Sequence, residues 1–284
     1  MKNNHANYIP FGLGVEDGRV WHASELDREN QRGKSCECIC PGCRMPLWSK
    51  LGDKKEWHFA HAPNYTDCGS GAETGIHLAA KQLILNESAI AIPELSVNCT
   101  LNDLNGKEHT KHRKLLDKSQ RCDVYNAQPE VRLATIVADL CVEDKEGQLL
   151  IEIAVNHFVD SAKFDKIASL GIRCIEIDLS KVNRNCTLHE LKAHIFDPDN
   201  SLWVFHPECV RWTRLLSMDL KAEVNAINKQ IEKFMRLAKD KGSSRYANHA
   251  ADDATQYHTP TNADELAEQI WRKKFYRHSW YRRR

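Results

Sequence analysis

The clearest pattern of apolar and polar positions lies between residues 133 and 180. Residues 136–142 and 149–155 are dense in β-branched and apolar side chains, and the polar run Asp144-Lys145-Glu146-Gly147 between them predicts a β-hairpin. With those four residues as the loop, Glu143 pairs with Gln148, and continuing outward Asp139 comes opposite Glu152. From 160 to 170, Phe164, Ile167, Ala168 and Leu170 recur at helical spacing; Gly171 ends the segment, and 172–179 reads as a buried strand. Hairpin, crossover helix and strand follow in order, and a crossover to a parallel neighbour is right-handed.

The rest of the chain is less regular. Residues 72–86 place Ile76, Leu78, Ala79, Ala80, Leu83 and Ile84 on one face of a helix and stack Glu73, His77 and Lys81 on another. Residues 8–24 predict a strand pair around Glu16-Asp17-Gly18, and 57–61 a further strand. Between 90 and 121 the sequence is polar, with a strand at 95–100 and a basic loop at 109–114. Residues 121–125 read as a strand pairing with the central hairpin, and 201–212 as a short aromatic strand. In the long helix that follows, Leu220, Val224, Ile227, Ile231, Phe234 and Ala238 form an a/d seam. The seam over 220–238 packs either on its own domain or on a partner helix, a homodimer included. The segments are then a strand pair with a Cys/His module (1–70), a mixed-sheet core (71–212), the amphipathic helix (213–241), a linker (242–263) and a basic aromatic tail (264–284).

Charge changes this picture only through its distribution. Forty Lys and Arg stand against 39 Asp and Glu, so the total does not announce a nucleic-acid binder. The tail points further: Arg272, Lys273, Lys274, Arg277, Trp280 and Arg282 interleave cations with aromatic rings, which suits phosphate contact with base stacking, with a peripheral membrane or acidic-protein contact as the alternative. The basic run 107–118 either tracks a phosphate backbone or is a solvated loop. No apolar run is long enough for a signal peptide or a membrane span, which leads to the expectation of a cytoplasmic protein.

The eleven cysteines cluster beside histidines, which favours metal over disulfides. A Cys-x-x-Cys knuckle converges two thiolates on one ion and a later hairpin completes the tetrahedron, giving Cys40, Cys43, His61 and Cys68 as a closed structural zinc set. His58 is the reserve ligand, and Cys36 or Cys38 could replace a member. Four such ligands leave no open position for water, so a zinc hydrolase ranks last. Asp139 and Glu152, facing each other across the hairpin, repel unless a cation lies between them, and a hard divalent ion, magnesium or manganese, satisfies both.

The run Glu73-Thr-Gly-Ile-His77-Leu-Ala-Ala-Lys81, with ICPGCRMPL, WHFAH and Cys68, resembles the CoiA-like family of competence proteins over residues 8–205. That family is similar to PD-(D/E)XK nucleases. The resemblance implies an α/β fold of the α+β mixed-sheet kind, an αβββαβ nuclease core with a small amino-terminal zinc module and carboxy-terminal helices. It implies Glu73 on the first helix, Asp139 as the "PD" aspartate and Glu152 as the (D/E). His77 and Lys81 would contact phosphate or orient the acid, and His157 keeps the family's "V, x, H" ending. The sequence departs from the pattern in two places: Ala154 fills the slot of the motif lysine, and Ala138 that of the proline. Lys163, or less favourably Lys166, is the candidate for a lysine moved to the next helix; Asp123 ranks below Asp139 as first carboxylate. The expected function is a metal-dependent nuclease hydrolysing DNA phosphodiesters, in DNA uptake, recombination or defence. The alternative is a catalytically degenerate nuclease fold that binds nucleic acid without cleaving it.

Overall fold

The structure is a computed structural model that describes residues 8–66 and 68–240, with side chains as far as Leu237. The described residues divide into two compact units, one containing those up to Pro93 together with Lys118–Phe205, the other Glu94–Asp117 with the described residues from His206 onward.

The first unit begins with three short strands, β1 (Phe11–Gly14), β2 (Val20–His22) and β3 (Cys38–Ile39), in the order β2-β1-β3. A hairpin of β4 (Leu47–Lys50) and β5 (His58–His61) follows, with Leu47 opposite His61. Phe59 and Leu51, both fully buried, anchor the small core of this segment with Cys36, Cys38 and Leu47. Helix α1 (Gly71–Glu87) comes next, and its first residue must be small. A Cβ at Gly71 would stand 2.8 Å from the Cys40 sulfur, so the absence of a side chain lets the helix start beside the cysteine knuckle.

β6 (Ala89–Ile92) opens the next part of the chain; β7 (Leu95–Asn102) and β8 (Glu108–Leu116) belong to the second unit, and β9 (Ser119–Asp123) returns to pair with β6. The main sheet is built from β10 (Tyr125–Leu133), β11 (Ile136–Asp144), β12 (Gly147–Ala154), β13 (Arg173–Asp178) and β14 (Ser201–Phe205), adjacent in that order. α2 (Ser161–Leu170) carries the chain from β12 to its parallel neighbour β13; the other pairings are antiparallel. The Asp160 carboxylate accepts from the Lys163 amide at 2.7 Å to start α2, and Gly171, at φ 68°, ends it. α3 (Leu188–Ile195) lies between β13 and β14 in the chain.

The mixed α/β character agrees with the sequence reading, and the hairpin register is the one expected: Glu143 pairs with Gln148 and Leu140 with Ile151, around a two-residue turn at Lys145 and Glu146. The hairpin's outer partner differs. Residues 119–123 pair with β6, and β10 takes the place beside β11. β10 is a solvent-facing edge strand containing Pro129, with Asn126 and Glu130 in left-handed backbone, so it lacks the apolar alternation that marks a strand.

In the second unit, α4 (Pro207–Asp240) packs against the hairpin of β7 and β8. Leu220 and Val224 are buried there, with Leu95, Val97 and Cys99 of β7. The seam therefore packs on its own unit over its first half, whereas Phe234 is 76% exposed. The basic run that the sequence reading treats as a loop forms β8, and its cations are engaged: Lys111 pairs with Asp219 and Glu223, Lys114 with Glu94 and Asp117, and Arg113 stacks 3.4 Å over Trp212. The linker at 242–263 and the tail residues Arg272, Lys273, Lys274, Arg277, Trp280 and Arg282 lie outside the described residues.

Candidate functional site

The cysteine and histidine residues meet at one point. Cys40 follows β3, and a turn closed by the Arg44 amide on the Cys40 carbonyl (2.9 Å) brings Cys43 round to the same side. His61 ends β5, and Cys68 lies just before α1. One ligand atom from each of Cys40, Cys43, His61 and Cys68 lies within 4.8 Å of all the others. The sulfurs of Cys40 and Cys68 are 3.6 Å apart, and the Cys43 sulfur is 3.2 Å from His61 Nε2. Two thiolates bound to one tetrahedral zinc at ~2.3 Å each would be separated by roughly 3.8 Å, so the set could hold such a metal with little movement. His58 is not in the group; it stacks on Tyr8 and its Nδ1 lies 2.8 Å from the Glu56 carbonyl. Cys36 and Cys38 are also elsewhere, buried in the small core with their thiols on the carbonyls of Leu47 and Cys36.

A second site is a cleft of about 440 Å³ lined by Glu73 and His77 of α1, Asp139 of β11, Glu152 of β12, Lys163 of α2 and Glu176 of β13. The strand order places three acids on neighbouring strands. Continuing the ladder one step past Leu140 and Ile151 sets Asp139 opposite Glu152, and the ladder changes there: the Ile153 amide donates to Asp139 Oδ2 at 2.9 Å. On the other side, Glu152 registers with Glu176 in the parallel pair.

Each of the first two acids has a cationic partner from a helix. Lys81 Nζ lies 2.9 Å from Asp139 Oδ1 and also pairs with Glu130, while His77 Nε2 lies 3.1 Å from the same Asp139 oxygen. Lys163 Nζ reaches Glu152 Oε2 at 2.6 Å. Burial opposes the charge of Asp139, but His77, Lys81 and the Ile153 amide outweigh it and hold this carboxyl well below the usual carboxylate range. Glu152 goes the other way: burial, aided by the charge of Asp139, pushes it up to about 7 against the pull of Lys163. Glu176 is likewise pushed up to about 7 by burial, with Glu152 and Asp178 adding to the effect and the Val159 amide opposing it.

One oxygen in this cleft stands out. Glu152 is 4% exposed, and its Oε1 is buried without a hydrogen-bond partner. A buried carboxylate oxygen in that condition costs a few kcal/mol unless something satisfies it, and an oxygen donor of this kind fits a hard divalent cation. Among the described residues the cleft acids are not gathered as tightly as the Cys/His group; Lys81 and His77 engage Asp139, and Lys163 engages Glu152.

The structure thus brings Glu73, His77, Lys81, Asp139, Glu152, His157 and Lys163 to one region, with Lys81 meeting Asp139 directly. Ala154 is fully buried and registers with Asp178. Asp123 sits on β9 with an 82% exposed side chain paired to Arg121. Glu176 is the cleft residue that sequence reasoning missed. Glu176 and Asp178 alternate with Ile175 and Ile177, which reads as a structural polar face; the useful signal is its register neighbour Glu152.

Residues 20–70, the stretch from β2 through the four-residue Cys/His group, match the family model described as "Competence protein CoiA, N-terminal domain". The likeness to that family is thus carried by the amino-terminal segment, whose four-residue Cys/His group could hold a metal ion. Neither the curated proteins nor the solved structures provide a match. No helix among the described residues is long and apolar enough to cross a membrane.

Proposed function

We propose that this chain is a metal-dependent nuclease that hydrolyses DNA phosphodiester bonds, with a PD-(D/E)XK-like core and a zinc-stabilised amino-terminal module. The observation that carries the reading is the meeting of Asp139, Glu152 and Lys163 in one cleft, with an unpartnered buried oxygen on Glu152. Asp139 and Glu152, aided by Glu73, would hold magnesium or manganese. The cation supplies Lewis acidity at a phosphoryl oxygen and a lowered water pKa. Lys163 neutralises Glu152 and offers a proton donor at the cleft wall, and His77 and Lys81 keep Asp139 ionised and fixed. Cys40, Cys43, His61 and Cys68 would hold zinc in a closed set that orders the module without taking part in the reaction. The basic tail from Arg272 to Arg282 would contact the phosphate backbone, and the family description supports a place in DNA uptake.

A second reading has its own observation. Ala154 occupies the slot of the motif lysine, and the cleft acids already have lysine and histidine partners, which supports a nuclease fold that binds nucleic acid without cleaving it. Cleavage of DNA by the wild type and Glu152→Gln with magnesium or manganese separates the two.

A further inference from the structure

Glu176 poses a problem of charge. On one face of the sheet, Asp139 is matched by Lys81 and His77, and Glu152 by Lys163. Glu176 is 2% exposed, its Oε1 accepts from the Val159 amide at 2.6 Å, and among the described residues it forms no ion pair. It registers with Glu152 on the adjacent strand, roughly 4.8 Å away, the ordinary strand spacing, so both carboxylates emerge on the same side into the same cleft. Two buried acids side by side, with one lysine paired to Glu152, leave a negative charge that a proton or a cation must balance.

We infer that Glu176 and Glu152 together form a divalent-cation position in this cleft, with Glu176 as a carboxylate ligand in addition to the Asp139 and Glu152 pair. The inference rests on the metal-dependent reading of the same cleft. Two facts beyond the nearness of the two acids support it. Glu152 Oε1 is a buried acceptor with no partner, and Lys163 engages only the other oxygen, Oε2. Glu176 is held by the Val159 amide from the segment between β12 and α2, so its carboxylate is fixed at the cleft wall rather than free to turn away. A donor set made of carboxylate oxygens takes hard ions, magnesium or manganese, and not the soft-ligand metals suited to the Cys/His group.

The test is a manganese(II) titration of the full chain, followed by the EPR signal of the free aquo ion, for the wild type, Glu152→Gln and Glu176→Gln. Glutamine keeps an acceptor for the Val159 amide while removing the charge, and circular dichroism confirms the fold. The expected result is a Kd at least about ten-fold weaker for Glu176→Gln, comparable with the loss in Glu152→Gln. An unchanged Kd in Glu176→Gln beside a weakened Glu152→Gln overturns the assignment of Glu176 and leaves the nuclease reading standing. No manganese bound by the wild type overturns both. Should Glu176→Gln fail to fold, Glu176→Asp decides by the same comparison, because a carboxylate withdrawn by one methylene must also weaken the site.

Discussion

Lys163 Nζ lies 2.6 Å from Glu152 Oε2, although the two residues sit on different elements and the position two residues after Glu152 holds a fully buried alanine, Ala154. The amine arrives from α2, whose start is fixed by the Asp160 cap, instead of from the strand that carries the acid. On the proposed nuclease reading, α2 would supply the amine that the resemblance places two residues after the second carboxylate.

If this amine serves the reaction, Lys163→Met removes it without shortening the aliphatic stem that packs along the cleft. Single-turnover cleavage is expected to fall ~10²-fold or more, the usual range for losing a positioned proton donor or charge stabiliser, with the far-UV spectrum unchanged. A rate within about two-fold of wild type would remove Lys163 from the mechanism.

The raised carboxyls fix the sign of a stability effect. Glu152 and Glu176 are each pushed up to about 7, so the folded state holds protons that the unfolded chain has already released above the ordinary glutamate value near 4.5. Stability from these groups is therefore present below that value, declines as pH rises through the window from about 4.5 to 7, and stays low above it. Glu176→Gln should accordingly melt higher than the wild type at pH 8, by on the order of 1–2 kcal/mol in unfolding free energy, with the difference vanishing near pH 4.5. Thermal unfolding at the two pH values, in chelator-treated buffer free of magnesium and manganese, checks it; equal midpoints at pH 8 would contradict the shift.

The Cys/His group makes a separate prediction. The chain as purified should carry one zinc per molecule by elemental analysis, and Cys40→Ser should lose it, because a closed four-ligand site does not keep its ion on three ligands at ordinary zinc concentrations. Without the metal the segment around β3 to β5 has only a small core, and limited proteolysis should cut there first. His58 stacks on Tyr8 and lies against the Glu56 carbonyl, outside the group, so His58→Ala should leave the zinc content unchanged.

Along α4, burial separates two classes of apolar position. Val224 is 1% exposed and Phe234 76%. Val224→Asp puts an unpaired charge against the β7 and β8 hairpin and should cost about 3 kcal/mol or more, whereas Phe234→Ala should stay within about 0.5 kcal/mol. Chemical denaturation of both variants measures the contrast.

How much of this was legible in the sequence depends on what each residue faces. The hairpin of β11 and β12 could be read with its register because both strands are apolar and joined by a short polar turn, and the register alone set Asp139 opposite Glu152. The Cys/His set was legible from spacing, since a knuckle and a strand-end histidine have few ways to converge. β10 was not legible: its residues face solvent and its backbone bends through left-handed positions at Asn126 and Glu130, so no period survives. The pairing of β8's lysines was hidden for another reason. Lys111 meets Asp219 and Glu223, over a hundred positions away, and a run of cations gives no sign of acids supplied from so far along the chain. Glu176 was missed because period-two alternation says which face a residue takes but not whether that face is a cleft.

The central claim is tested most directly by incubating linear, circular and single-stranded DNA with the full chain and magnesium or manganese, beside Glu152→Gln of confirmed fold. The account predicts cation-dependent cleavage of at least one substrate by the wild type and its loss in Glu152→Gln. DNA bound by the wild type but left uncut with every substrate and both metals would contradict it and establish the binding-only reading.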